Sequence, residues 1–333
     1  MDRFELLSQQ KMYAPNVVAV VGPTATGKSD LAVRLALALG GEVVSGDSMQ
    51  IYKGMDIGTA KASAGERCGV AHHLLDLREP WESFSAAEYQ TLARQAARDI
   101  LSRGKLPVFA GGTGLYIDSA LYNYSYKEED AGTPVRESLL AEAEEIGPDA
   151  LWERLRQADP GSAEKLHPND TKRIIRALEY VSIHGKPISQ NRSAFESPEQ
   201  MFDAILIGLD LPRELLYDRI NRRVDRMMEA GFLDEVRSLM SRGLRLESQA
   251  GQAIGYKQLL QYLQQGGDLN RAVESIKQES RRYAKRQLTW FRRNKSILWM
   301  DARKAGEGDW AERLAGALQE GFTNKDRSIV QNL

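Results

Sequence analysis

A single cysteine in 333 residues, Cys68, leaves no partner for a disulfide and no thiolate pair for a metal cluster. That usage suits a reducing cytosol, with Cys68 an ordinary surface or core thiol. No apolar run approaches the roughly 18 residues that a membrane span needs. The first residues, MDRFELLSQQKMY, carry acids and no apolar signal core, so a cytoplasmic protein with no membrane partner is expected. Charge of one sign is also missing: the formal net charge is −1, so a polyanionic partner must be held by a local basic patch. Internal repeats and low-complexity tracts are absent too. What remains is a globular composition, 42% hydrophobic and 27% charged, long enough for one large domain or two smaller ones.

Buried strands are predicted over residues 17–21, 42–46, 106–110, 203–209 and 296–300, each rich in β-branched and apolar side chains. Several alternate with helical stretches, the pattern of a parallel α/β sheet covered on both faces. The clearest helix is 85–103, where Ser85 and Glu88 form a capping box, Tyr89, Leu92, Ala96 and Ile100 recur at helical spacing, and Gly104 stops it. From Tyr122 to about Pro198 no strand pattern occurs, only helical runs, the last of them capped by Asn169 or Asp170. An all-helical insertion domain over 123–198 therefore interrupts a core of 1–122 and 199–333, whose C-terminal part is largely helical.

Residues Gly22-Pro-Thr-Ala-Thr-Gly27-Lys28-Ser29 fit G-x-x-x-x-G-K-[ST] between a strand and a helix. Gly22, Thr24, Ala25, Thr26 and Gly27 let successive backbone N–H groups face phosphate oxygens. Lys28 neutralises a diphosphate, and Ser29 ligates Mg²⁺. An ATPase would add an acid at the end of a further strand. Here the third strand ends in FAGGTG, which weakens the case for nucleotide hydrolysis. Asp76 is the nearby acid that a metal role would require, and it serves equally well as a turn cap.

Asp47 falls at the carboxyl end of the second strand, the edge where open α/β sheets bind ligands. A carboxylate there can take a proton from a nucleophile attacking a phosphorylated group, although a turn cap in GDS explains it as well. Asp56 reads as loop architecture, and His72 and His73 as hydrogen-bonding loop residues. Residues 281–295, RRYAKRQLTWFRRNK, hold seven Lys or Arg, three aromatics and no acid. Such a helix can grip RNA through its cations and rings, or expose a solvated face while burying Trp290 and Phe291. A second basic face at Lys172, Arg173 and Arg176 favours a nucleic acid held by two elements.

Together GPTATGKS, SGDSMQIYKGMDIGTAK, HHLLD, AGGTGLYI, HPNDTKRIIRALE, GKPIS, RINRRVDRMMEAGFLDEV, QAIGYK and KRQLTWFR, in that order over about 17–293, resemble the tRNA dimethylallyltransferase family. The resemblance implies a P-loop NTPase-like parallel sheet flanked by helices. It also implies transfer of a dimethylallyl group from dimethylallyl diphosphate to N6 of the adenosine 3′ of a tRNA anticodon. The phosphate loop then holds the diphosphate, with Mg²⁺ at Ser29. Asp47 accepts the proton, and Thr113 and Arg223 take the departing diphosphate. The tRNA anticodon stem-loop is implied to meet Asp47, Ser48, Met49 and Gln50; Arg136, Lys172, Arg173 and Arg176; Gln252, Gly255, Tyr256 and Lys257; and Lys285, Arg286, Gln287, Thr289, Trp290 and Arg292. A monomer is expected. The acidic stretch 123–132 and both termini carry no assigned role.

An adenylate isopentenyltransferase acting on free AMP or ATP shares the loop and the carboxylate, but a mononucleotide needs no basic helix. A small-molecule kinase shares the loop, and the acid-free third strand counts against it. A non-catalytic RNA-binding protein leaves the loop and Asp47 unexplained.

Overall fold

Val17–Val21 (β1), Glu42–Ser45 (β2), His72–His73 (β3), Pro107–Gly111 (β4), Ala204–Asp210 (β5) and Leu298–Asp301 (β6) form one parallel sheet in the order β3-β2-β4-β1-β5-β6. The computed structural model describes residues 16–124, 134–190, 199–304 and 309–319. The chain divides into two compact units, residues 1–122 with 200–333, and residues 123–199. The acidic residues 125–132 and the first 14 residues lie outside the described residues.

Alternation along the central strands builds two cores. Val17, Ala19, Val21, Val44 and Phe109 face one layer, and Val18, Val20, Val43 and Val108 the other. Both faces are covered, so these strands read as continuous apolar runs. The first layer is closed by Ala86–Ser102 (α2) and Gly114–Leu121 (α3), the second by Lys28–Leu39 (α1). Ser85 and Glu88 make the capping box that opens α2. One strand escaped the sequence reading: the pair His72–His73 extends the sheet edge as β3, where His73 Nε2 meets Glu42 Oε2 at 2.7 Å. Buried Glu42 also takes Arg103 and Lys105, so two cations and the His73 ring surround one carboxylate and hold it well below the usual carboxylate range.

The second unit is helical among its described residues: Pro134–Ala158 (α4), kinked where Gly147 takes φ +80°, then Pro160–Ala163 (α5) and Thr171–His184 (α6). Leu139, Leu151, Leu155, Ile174, Ile175 and Leu178 form its core. Asp170 stands at the N-cap of α6, although its side chain makes no capping bond there. Arg136 reaches the buried carboxylate of Glu179 at 2.5 Å, which engages its guanidinium inside this unit.

The first unit resumes with Arg213–Glu229 (α7), Phe232–Arg242 (α8), Tyr256–Gln265 (α9), the long basic Leu269–Phe291 (α10) and Trp310–Gln319 (α11). Trp310, Leu314 and Leu318 of α11 pack into the second layer beside Leu31 and Leu35, so the C-terminal segment completes a core. Among the described residues no helix is long and apolar enough to cross a membrane.

Candidate active site

Three strand ends meet where the strand order reverses around β1 and β4, the crevice in which open α/β sheets bind ligands. The loop after β1 leaves the sheet at Gly22, at φ +136°, where a Cβ would stand 2.5 Å from the Leu209 carbonyl oxygen. Only glycine fits that exit. The turn continues through left-handed Ala25 (φ +65°) and Gly27 (φ +89°) into α1, which aims that helix's N-terminus at the crevice. Thr26, almost fully buried, donates its hydroxyl to Pro23 O at 2.9 Å, and Lys28 Nζ donates to the same oxygen at 2.6 Å.

A small cavity of about 70 Å³ lies against this loop, walled by Thr24, Lys28 and Ser29, by Asp47 and Gln50, by Gly111 and Gly112, and by Arg223, Tyr283 and Gln287. Arg223 also borders a wider cleft of about 790 Å³, lined by Ala25 and Gly27, by Arg219, Arg222 and Arg226, and by Asp225 and Glu229. Positive charge is therefore concentrated at the loop. Burial and the Arg223 guanidinium push the Lys28 ammonium down to about 7, with Asp47 opposing them. Burial lowers Arg223 as well, and Asp47 again opposes. Two cations crowd one wall, and an anion between them relieves both.

Asp47 follows β2 in a tight turn. Its Oδ1 accepts the Met49 N–H at 2.9 Å, which realises the turn-cap reading, and the same carboxylate lines the cavity. Thr113 lies just past the lining glycines. Its hydroxyl accepts the Ser48 N–H at 3.1 Å, so in this conformation it braces the Asp47 turn. Beneath, Gln50 Nε2 and Arg223 Nη2 both donate to Thr59 O. That carbonyl belongs to a loop organised by Glu235 of α8, whose carboxylate accepts the N–H groups of Asp56, Ile57 and Gly58 and the Tyr256 hydroxyl. Asp76 and Asp56 both pair with buried Lys61, which ties Asp76 into the loop architecture.

Several residues expected to meet RNA are engaged internally. Tyr256 is fully buried with its hydroxyl on Glu235, and a Cβ at buried Gly255 would collide with Phe232, so QAIGYK shows only Gln252 and parts of Ile254 and Lys257. Gln287 is 5% exposed, and Trp290 donates its indole N–H to Asp118 at 2.8 Å. Arg292 pairs with Asp210 on the surface. Lys285, Arg286 and Thr289 are exposed on α10, and Lys172, Arg173 and Arg176 on α6. Tyr283 was missed, although it lies one helical turn before Gln287 and the helical period alone puts both on one face.

A parallel sheet, a glycine-bounded loop between strand and helix, two half-buried cations and a carboxylate at the next strand end define an α/β protein of the P-loop type. The family model for IPP transferases matches residues 50–294, and the chain belongs to that family. It is 50% identical over 311 residues to the tRNA dimethylallyltransferase of Geobacillus kaustophilus, covering 92% of this chain and 98% of the relative. The Bacillus subtilis tRNA dimethylallyltransferase is 51% identical over 285 residues, covering 86% and 90%. Among solved structures, the tRNA isopentenylpyrophosphate transferase of Bacillus halodurans aligns with TM-score 0.67 and 42% identity, covering 96% of this chain and all of that one. A eukaryotic dimethylallyltransferase acting on tRNA aligns with TM-score 0.74 and 30% identity, covering 94% and 77%.

Proposed function

We propose that the protein is a tRNA dimethylallyltransferase: it moves the dimethylallyl group of dimethylallyl diphosphate onto N6 of the adenosine 3′ of the anticodon. The observation that carries this reading is Asp47 sharing one cavity with Lys28 and Arg223, while β4 ends in Gly111-Gly112-Thr113 with no acid. As the allylic carbon–oxygen bond breaks, its electron pair leaves with the diphosphate. Cations and N–H groups fixed beforehand at that position are usually the largest catalytic term. Lys28, Arg223 and the loop amides take that charge. The N6 lone pair forms the new bond to carbon, and Asp47 receives the amine proton through the carboxylate oxygen that does not cap Met49. An adenine stacked in an anticodon loop cannot reach this depth, so the base is flipped into the cavity.

Among the described residues no group of three or more His, Cys, Asp or Glu is placed to hold a metal. The exposed Ser29 hydroxyl beside a diphosphate fits Mg²⁺, an ion that takes few protein ligands and completes its shell with substrate oxygens and water. When bound there it neutralises part of the leaving group's charge.

Labelled dimethylallyl diphosphate, Mg²⁺ and either unmodified tRNA, AMP or no acceptor test the reading. Label is expected on tRNA; label on AMP alone, or ATP turnover without prenyl transfer, overturns it. Lys28 adds a second signature. Its free ammonium titrates near 7, and a bound diphosphate raises it, so binding at pH 8 takes up close to one proton from this group and at pH 6 little. Calorimetry in buffers of different ionisation enthalpy reads that uptake, and Lys28→Met is expected to remove it while weakening binding by roughly 10- to 100-fold.

The exposed cations of α10 and α6 supply the sequence-independent grip on RNA phosphates. Arg286→Ala is expected to weaken anticodon stem-loop binding and to lower the salt slope by about 0.7–0.9 for each phosphate that is no longer neutralised. Salt titrations of affinity that leave the slope unchanged remove Arg286 from the interface.

A further inference from the structure

Gln287 reaches from α10 to two backbone atoms far away in the chain. Its Oε1 accepts the Thr24 N–H at 2.9 Å, and its Nε2 donates to Gly112 O at 2.9 Å. The polarity of each partner is fixed, so a side chain carrying both an acceptor and a donor is required. Gly112 must be glycine for the same reason, since a Cβ there would lie 2.1 Å from Nε2.

Each of these atoms belongs to a rigid peptide plane whose other end faces the site. The plane that carries the Thr24 N–H also carries Pro23 O, which accepts Lys28 Nζ. The plane that carries Gly112 O also carries the Thr113 N–H, which donates to Gly46 O at 3.2 Å, in the peptide leading into Asp47. Fixing one end of each plane orients the other. Tyr283, one turn earlier and half-buried, lines the same cavity as Gln287.

We propose that Gln287 is a positioning residue that holds Lys28 and Asp47 in mutual register through these two peptide planes. On this view the buried face of α10 is part of the diphosphate site, and RNA contact is confined to its exposed face. The consequence for transfer rests on the function proposed above; the consequence for diphosphate binding does not.

The test uses the full-length chain carrying Gln287→Met, which keeps length and removes both bonds. Inorganic pyrophosphate with Mg²⁺ is titrated by calorimetry, anticodon stem-loop RNA by fluorescence anisotropy, and transfer is followed as kcat and KM. Loss of two net hydrogen bonds is expected to weaken pyrophosphate binding and kcat/KM for dimethylallyl diphosphate by about 10- to 100-fold. RNA affinity stays within about twofold, because the exposed cations of α10 are untouched. RNA affinity that falls while pyrophosphate binding holds overturns the proposal, as does no change in either. Gly112→Ala leaves Gln287 in place but sets a Cβ against its Nε2, and covers the case in which Gln287→Met fails to fold. It is expected to lower kcat/KM several-fold, on the order of one hydrogen bond, at constant RNA affinity; unchanged kcat/KM overturns the proposal. Wild type that binds pyrophosphate yet transfers no label to RNA sinks the functional reading and leaves the pyrophosphate comparison decisive.

Discussion

Turnover by Asp47→Asn is expected to fall by about 10²- to 10⁴-fold, the usual contribution of a positioned general base, with RNA affinity unchanged. Asparagine keeps a side-chain oxygen for the Met49 N–H, so the turn survives and only the proton acceptor is removed. Asp47→Ala loses the turn bond as well and is expected to fall at least as far. Single-turnover rates of both variants with saturating dimethylallyl diphosphate and tRNA separate the two roles. Near-normal turnover by the asparagine variant refutes proton transfer to Asp47, whereas loss in the alanine variant alone reduces this residue to a turn cap.

Glu235→Ala is expected to lose roughly 3 kcal/mol of stability in the α/β unit, because three backbone N–H groups and a tyrosine hydroxyl lose a charged acceptor. Part of the Glu235 side chain is solvated, so water replaces some of those bonds and the loss stays below that of a fully buried ion pair. The effect extends to the chemistry. The freed loop carries Thr59 O, the acceptor shared by Gln50 and Arg223, so the second cation of the diphosphate wall loses its mooring. Denaturant titration together with KM for dimethylallyl diphosphate checks this. A folded variant with normal stability and normal KM would show that the Asp56–Gly58 amides find other acceptors. Glu235→Gln retains one good acceptor and is expected to fall between the two.

Most of the candidate site's geometry was legible because it is carried by local patterns. A strand, a glycine-bounded loop and a helix in sequence force the phosphate-loop geometry, and a carboxylate one residue past the next strand's glycine can only stand at the same sheet edge. The helix 85–103 was readable from its cap and its period, and it ends one residue inside each predicted limit. The edge strand His72–His73 was not, because two residues carry no periodicity and only pairing with Val43 and Val44 makes them a strand. The basic helix was readable as basic and helical. Which of its residues face solvent and which face the loop was not, because both faces mix polar and aromatic side chains.

What the sequence determined by itself, then, is the α/β class, the helical insertion, the phosphate loop and the carboxylate beside it, since each follows from residue type and spacing within a few turns of chain. What only the tertiary structure decided is the use of residues whose partners are remote in sequence. Glu235 finds three amides some 180 positions back, and Gln287 finds Thr24 and Gly112, 263 and 175 positions away. Tyr256 was drawn inside by the same Glu235. Backbone donors and acceptors are identical at every residue, so no side-chain pattern states which of them the fold will leave open.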